Sequence, residues 1–398
     1  IWRGWETYQE DWEVQNVFWD VFADLESRWS EGFTSRIGGN FKLDEHQNAF
    51  KYEDLGFNGF GELNYHINQT SIGIAGDYRQ TDLTVSDGNL LRNVSAPPQV
   101  LNEYQASLLS GRFFIRQQFN MITAEAGGLY QKSDEKTETL NTGEIKEKNF
   151  YPFARLTLGV NGLASFYAGY RPGTELPQFR KNVRAIPFSD LSQLRAINYK
   201  SRWEAGIDLD LTGSLNVNVV SRYSTAEFLP APVAPADSLN AIFTRGGYPG
   251  WVFGVLDEVR IQDLYGKLDW KVKMLELFGW LNIRRSDIRQ ASIIPTDVSG
   301  KKVPYFPELS AMGRLRWYFY QEHYLSFVLS YMGNRYDDVL NEYQLKQYLL
   351  FNARLDLKLN ENFRMFIEGN NLLDKSYEEY RGFAAPVITG ILGVRITM

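Results

Sequence analysis

Along most of this chain apolar and polar side chains take alternate positions. From residue 349 to 359 the apolar set is Leu349, Phe351, Ala353, Leu355, Leu357 and Leu359, facing Asn352, Arg354, Asp356 and Lys358. From 203 to 211 it is Trp203, Ala205, Ile207, Leu209 and Leu211, facing Glu204, Asp208 and Asp210. Residues 33–43 set Phe33, Ile37, Phe41 and Leu43 against Arg36, Asn40 and Lys42, and the chain ends on Ile388, Gly390, Leu392, Val394, Ile396 and Met398 against Thr389, Arg395 and Thr397. Successive side chains of a strand point to opposite faces, so each stretch predicts a strand with one greasy and one wet side. A soluble sandwich or propeller also alternates. Here many strands reach about ten residues and carry charge in mid-strand, as expected where one face meets lipid and the other a wet lumen.

The pattern predicts strands at 386–398, 361–371, 347–359, 323–333, 309–320, 274–288, 257–272, 214–227, 201–212, 163–171, 150–160, 121–131, 102–119, 69–81, 56–67, 33–43 and 15–29, with a weaker candidate at 3–13. The fold class this implies is all-β, a closed antiparallel transmembrane barrel of about 18 strands, within roughly 16–22. Tight turns of the Gly, Asn and Ser kind stand at "INQT" 67–70, "VNG" 160–162, "TGS" 212–214, "QEH" 321–323 and "NEN" 360–362. They alternate with long links at 82–101, 132–149, 172–200, 228–256, 289–308, 334–346 and 372–385. Outer-membrane barrels keep short turns at the periplasm and long loops outside, which puts both termini in the periplasm.

Residues 1–398 form one barrel domain in this reading, with 1–14 a possible N-terminal extension. Near the start, Val14, Phe18, Val21 and Leu25 would share a helix face, but Val17, Trp19, Val21, Ala23 and Leu25 alternate with Asn16, Asp20, Asp24 and Glu26, and strand is preferred. Within 259–272 the phase slips near Gln262 and Asp263, which predicts a bulge there.

Composition narrows the function. The chain has no cysteine, so a disulfide framework or thiolate metal site is excluded, and no apolar run is long enough for a membrane helix. Ile1 is preceded by no basic, apolar leader, as expected of a mature or trimmed chain. Aromatics make up 15% of the chain, and Tyr65, Tyr78, Tyr130, Tyr170, Trp270, Trp317 and Phe319 fall near strand ends, where rings suit the lipid headgroup level or ordinary packing. The three histidines, His46, His66 and His323, lack metal-ligand spacing, and no nucleophile elbow or phosphate-binding glycine loop is present. No enzyme, cofactor, metal or nucleic-acid partner is expected.

The C-terminal motif carries a family resemblance. Asn371, Leu372, Leu373, Asp374, Lys375, Ser376 and Tyr377, followed by "GILGVRITM", resemble the last two strands of TonB-dependent receptor barrels. "FYPFARLTLGVNGLASFYAGYRPGTELPQF", "YKSRWEAGIDLDL" and "VPYFPELSAMGRLRWYF" resemble further family strands in the right order, over residues 150–398. The resemblance implies a bacterial outer-membrane location, contact with lipid bilayer and lipopolysaccharide, solute uptake and TonB-type energy coupling. Two departures stand against it. The chain ends in Met398 rather than an aromatic, and no segment looks like the N-terminal plug. The plug is therefore expected to be missing or supplied elsewhere; the alternative is a plugless structural or secretion-complex barrel whose lumen a partner protein fills or covers.

Two groups of candidate site residues follow. Arg314, Arg316, Arg354, Asp356, Lys358, Arg364, Glu368 and Arg395 are expected on the lumen wall, paired with one another or lining a solute path. In the long loops, the basic set Arg180, Lys181 and Arg184, with Arg195 and Lys200, suits an anionic solute or lipopolysaccharide phosphate, and Tyr248 and Trp251 offer rings to a ligand; solvated or self-packed loops are the bland alternative. The paired Asp337 and Asp338 raise calcium as a lesser possibility.

Overall fold

The computed structural model describes residues 15–30, 32–47, 50–87, 103–137, 144–160, 162–176, 189–190, 195–233, 251–292, 296–320, 322–381 and 383–396. The strands, in chain order, are β1 Gln15–Arg28, β2 Phe33–Gln47, β3 Phe50–Ile67, β4 Thr70–Asp87, β5 Glu103–Phe119, β6 Ile122–Thr137, β7 Ile145–Val160, β8 Ala164–Tyr170, β9 Gly173–Glu175, β10 Ser189–Asp190, β11 Ile197–Asp210, β12 Leu215–Glu227 and β13 Leu229–Val233. They continue as β14 Trp251–Leu256, β15 Glu258–Val272, β16 Leu275–Gln290, β17 Leu309–Tyr320, β18 His323–Met332, β19 Arg335–Tyr336, β20 Gln344–Leu345, β21 Tyr348–Lys358, β22 Phe363–Asn370, β23 Glu378–Tyr380, β24 Phe383–Ala384 and β25 Thr389–Ile396. No helix occurs among the described residues.

Eighteen of these strands form one sheet, paired antiparallel in chain order except that β8 and β9 do not pair with each other. β8 and β9 both pair with β11 and flank Arg171 and Pro172, so they make a single crossing interrupted where proline can offer no ladder hydrogen bond. Every predicted crossing from 15–29 onward has its strand; the candidate at 3–13 lies outside the described residues. The helical alternative for the first segment is set aside, because β1 pairs with β2 along its whole length. Among the described residues the outer edges of β1 and β25 have no partner.

Two expectations are corrected. The link predicted at 132–149 is largely strand, since β6 runs to Thr137 and β7 starts at Ile145. The bulge predicted at Gln262/Asp263 is absent: β15 keeps register with β16 there, and the irregularity lies at Glu258/Val259. The phase slip has another cause. Val259 and Ile261 occupy the same face as Asp263, but at their height that face is covered by folded-in loops. They join Leu229, Leu256, Ile288, Val298, Val303 and Val339 in a buried cluster, which is the apolar core of the molecule. Lower down, the same face meets water.

The opposite face is apolar and exposed, with Ile74, Phe113, Ile115, Leu156, Ile207, Leu281, Leu315, Leu329 and Ile367 all turned outward. Exposed rings bound this band at two levels, Tyr65, Trp270, Trp317 and Phe319 near the tight turns and Tyr78, Tyr130 and Trp203 farther up. Tyr170 packs against Trp203 in a tilted arrangement with ring centroids 4.6 Å apart. About eight residues of tilted strand separate the levels, roughly 20 Å, which is close to the height of an outer-membrane apolar band. No helix in the described residues is long and apolar enough to cross a membrane, so crossing falls to the strands.

Candidate functional site: the charged inner wall

Antiparallel register places inward-facing charges directly opposite one another. Arg116 on β5 faces Glu125 on β6, which faces Arg155 on β7; Arg155 faces Gly169 on β8, Gly169 faces Glu204 on β11, Glu204 faces Arg222 on β12, Arg222 faces Asp263 on β15, and Asp263 faces Arg284 on β16. The result is a row of alternating charge with one gap, at Gly169. Side chains close most of the neighbouring pairs. Arg116 donates from Nε to Glu125 Oε2 at 2.8 Å, Arg222 from Nη2 to Glu204 Oε2 at 2.7 Å, and Arg284 from Nε to Asp263 Oδ1 at 2.6 Å.

Toward the C-terminus a second row contains the lumen-wall residues expected from the sequence. Arg316 donates to Glu276 at 2.9 Å, and Arg354 donates to Glu368 and Asp356, each at 3.0 Å. Lys358 pairs with Glu322 and Glu361, and Arg364 pairs with Glu322 and, at 3.5 Å, with Asp356. Arg314 makes no ion pair among the described residues and lies over the Phe278 ring at 5.3 Å. Arg395 sits opposite Arg364 in register. The structure therefore brings Arg316, Arg354, Asp356, Lys358 and Arg364 into a largely self-neutralised network.

The wall formed by β3–β12 is different. A cavity of about 1040 Å³ opens against it, lined by Arg79, Arg112, Arg116, Arg155, Arg171, Arg202 and Arg222 but only by Asp77, Glu125, Glu175 and Glu204 among carboxylates. This excess was missed in the sequence, where the arginines are scattered over more than a hundred positions; inward parity selects each one, but only register reveals that they converge. Gly206 has a local role here, since a Cβ on it would come within 2.5 Å of Tyr167 Cζ. Its bare backbone lets the Tyr167 ring lie across β11, and Arg155 rests on that ring at 4.4 Å.

The loop candidates divide. Arg180, Lys181, Arg184 and Tyr248 lie outside the described residues, and Trp251 opens β14, parallel to Ser189 of β10. Arg195 is paired with Glu147 at 2.9 Å and covers the Phe228 ring, while Lys200 is paired with Glu227, so these two charges are compensated. The carboxylates of Asp337 and Asp338, raised above for calcium, are engaged by protein donors. Asp338 accepts backbone N–H groups of Glu342 and Tyr343, and Asp337 accepts from Arg381 Nη1 at 3.2 Å. Together with Arg335, which donates to the Glu378 and Glu379 carbonyls, they latch the β18–β21 loop to the β22–β25 loop. His66 shares a hydrogen bond with Ser71, and His323 accepts from the Lys358 N–H; no cluster of three potential metal ligands occurs among the described residues.

No family model matches the sequence, and no curated protein matches it. Solved structures do match in fold. The siderophore receptor PiuA from Acinetobacter baumannii aligns with a TM-score of 0.61 at 14% identity, over 95% of this chain and 64% of its own. The FrpB iron transporter from Neisseria meningitidis aligns at 0.65 and 10% identity, over 96% and 64%, and the copper transporter OprC at 0.64 and 10%, over 97% and 66%. The present chain thus spans about two thirds of the length of these proteins. Such structures are TonB-dependent receptors of the outer membrane, and the fold of this chain is that of their barrel wall. The resemblance read from the C-terminal motifs is upheld at the level of fold.

Proposed function

We propose that this chain is the barrel of an outer-membrane receptor of TonB-dependent type, closed by further crossing strands, and that it serves solute uptake with its lumen occupied by a plug or partner polypeptide. The observation that carries the reading is the combination of a receptor-type wall over nearly the whole chain with an inner face of charge rows around water. An enzyme reading has no support, since the inward side chains pair as ions and hydrogen bonds rather than as a nucleophile with its base. The neighbours' names, covering siderophore, iron and copper, suggest a scarce, high-value cargo without choosing one.

Cargo uptake of this type needs energy, because a filled lumen opens only when its occupant is moved. Cells lacking the protein should fail to accumulate a limiting solute, accumulation should return with the intact gene, and collapse of the proton-motive force should abolish it. Unchanged accumulation in the deletion strain, with loss of a cell-surface assembly instead, overturns uptake and supports the plugless structural or secretion-complex barrel.

A further inference from the structure

The charge row on the β5–β16 wall is interrupted at one place, and two arginines beside it, Arg155 and Arg171, make no ion pair among the described residues. Arg155 faces Glu125 on one side, but Glu125 Oε2 is already held by both Nε and Nη2 of Arg116, at 2.8 and 2.5 Å. On its other side stands Gly169, which has no side chain to offer. Two residues farther along the strand, Arg171 makes no side-chain hydrogen bond or ion pair among the described residues. Its backbone N–H, by contrast, is held by the Arg202 carbonyl at 2.8 Å, which fixes where the side chain starts. Arg112, Arg155 and Arg202 all lie within electrostatic range of Arg171, with Glu125 the acid among its strongest neighbours. Arg112 reaches its own partner Glu62 only at 3.5 Å, and Arg202, whose Nη1 is held by Glu175 at 2.7 Å, keeps its Nε buried with no acceptor.

Guanidinium groups brought together without equivalent carboxylates repel one another, and a wet but walled cavity screens that repulsion less than bulk water does. An anion entering the gap relieves it and finds forked donors, the geometry that suits carboxylate and phosphate oxygens. Arg155, which stands opposite position 169, and Arg171 start about two residues apart along the strand direction, roughly 7 Å. That spacing favours a molecule with two or more anionic groups, and the cavity has room for one.

We propose that the gap at Gly169, framed by Arg155 and Arg171 with Arg112 and Arg202 behind them, is a binding station for small solutes bearing several carboxylate or phosphate groups. This rests on the solute-uptake reading and gives it a cargo chemistry. Gly169 keeps the station open: a Cβ there would crowd the Ala154 carbonyl at 3.1 Å and lie in contact with the Arg155 stem at 3.6 Å.

The test uses the purified 398-residue chain in detergent micelles, titrated calorimetrically with citrate and separately with inorganic phosphate. Citrate is expected to bind more tightly than phosphate, and raised sodium chloride should weaken it. Arg155→Gln and Arg171→Gln should each weaken citrate binding by about tenfold or more, since each removes a charge-assisted contact. Arg289→Gln, on the exposed outer part of β16, should leave it unchanged. The same proteins are inserted into planar bilayers, where citrate should reduce the conductance of the parent chain and not of the two cavity variants. No citrate binding, or binding that both cavity variants retain, overturns the station while normal conductance leaves the barrel reading standing. A parent chain that neither inserts nor conducts overturns the barrel reading instead.

Discussion

Arg354 shows how a single side chain can tie two strands together. Its guanidinium joins Asp356 on its own strand to Glu368 on the next and lies 3.8 Å above the Phe366 ring, while Asp356 is only 2% exposed. Arg354→Gln leaves that buried carboxylate with Tyr324 Oη at 3.2 Å and the longer Arg364 contact. Removing one partner of a buried pair strands the other, so the variant should lose about 2–4 kcal/mol, read from urea titrations of the chain folded into lipid vesicles. Asp337 gives a pH dependence outside the membrane band. Burial first, and then its neighbour Asp338, lift its carboxyl to about 7, against the pull of Arg381. A carboxyl whose folded value lies above its unfolded one binds protons better when folded. The loop latch should therefore be most stable below about pH 4 and lose stability as pH rises toward 7. Asp337→Asn should flatten that profile, with hydrogen exchange in residues 333–347 as the measurement; an unchanged profile would show that Asp337 does not set it.

At the scale of elements, the covering of the outer mouth matters more than any one strand. β13, β14 and the loops carrying Val298, Val303 and Val339 close over the inner faces of β15 and β16, where Val259 and Ile288 are fully buried. Ile288→Ala removes a buried side chain from a packed cluster and should destabilise the cover by about 2–4 kcal/mol. Limited proteolysis should then cut β13, β14 and the 296–308 loop faster while the wall strands resist; equal cleavage of cover and wall would argue that they fold as one unit. This cover also explains what the sequence did and did not disclose. β17 falls at the predicted 309–320 because lipid outside and water inside impose a period of two over its whole length. Above the lipid neither face has a fixed solvent. The alternation fades there, so the tops of β6 and β7 were expected as loop, and the inward Val259 and Ile261 imitated a bulge. The candidate site was legible only in part. Alternation puts Arg354, Asp356 and Lys358 on one face of their strand, but which charge neutralises which depends on register, and register is a pairwise property that no single strand carries.

For the whole molecule the decisive quantity is the size of the space that a closed wall would enclose. With the β8–β9 segment counted as one crossing, the wall has an odd number of crossings, so β1 and β25 run in the same direction and cannot complete an antiparallel ladder with each other. An additional crossing, such as the strand expected at 3–13, would allow it. A closed wall of about 18 strands spaced about 4.8 Å apart and tilted near 40° has a backbone diameter of roughly 35 Å, too wide for inward side chains to fill. The described loops cover the mouth from the β12–β18 side, while the arginine-lined cavity stays open. A lumen of this width left empty would leak ions and small solutes, which is incompatible with an outer membrane that retains its barrier. The chain alone, reconstituted in a planar bilayer, should therefore conduct, and photo-crosslinkers placed at positions 314 and 395 in living cells should capture a polypeptide inside the wall. A barrel that inserts fully yet passes no current without any partner would mean that its own loops seal it, and the requirement for a plug or partner in the lumen would fall.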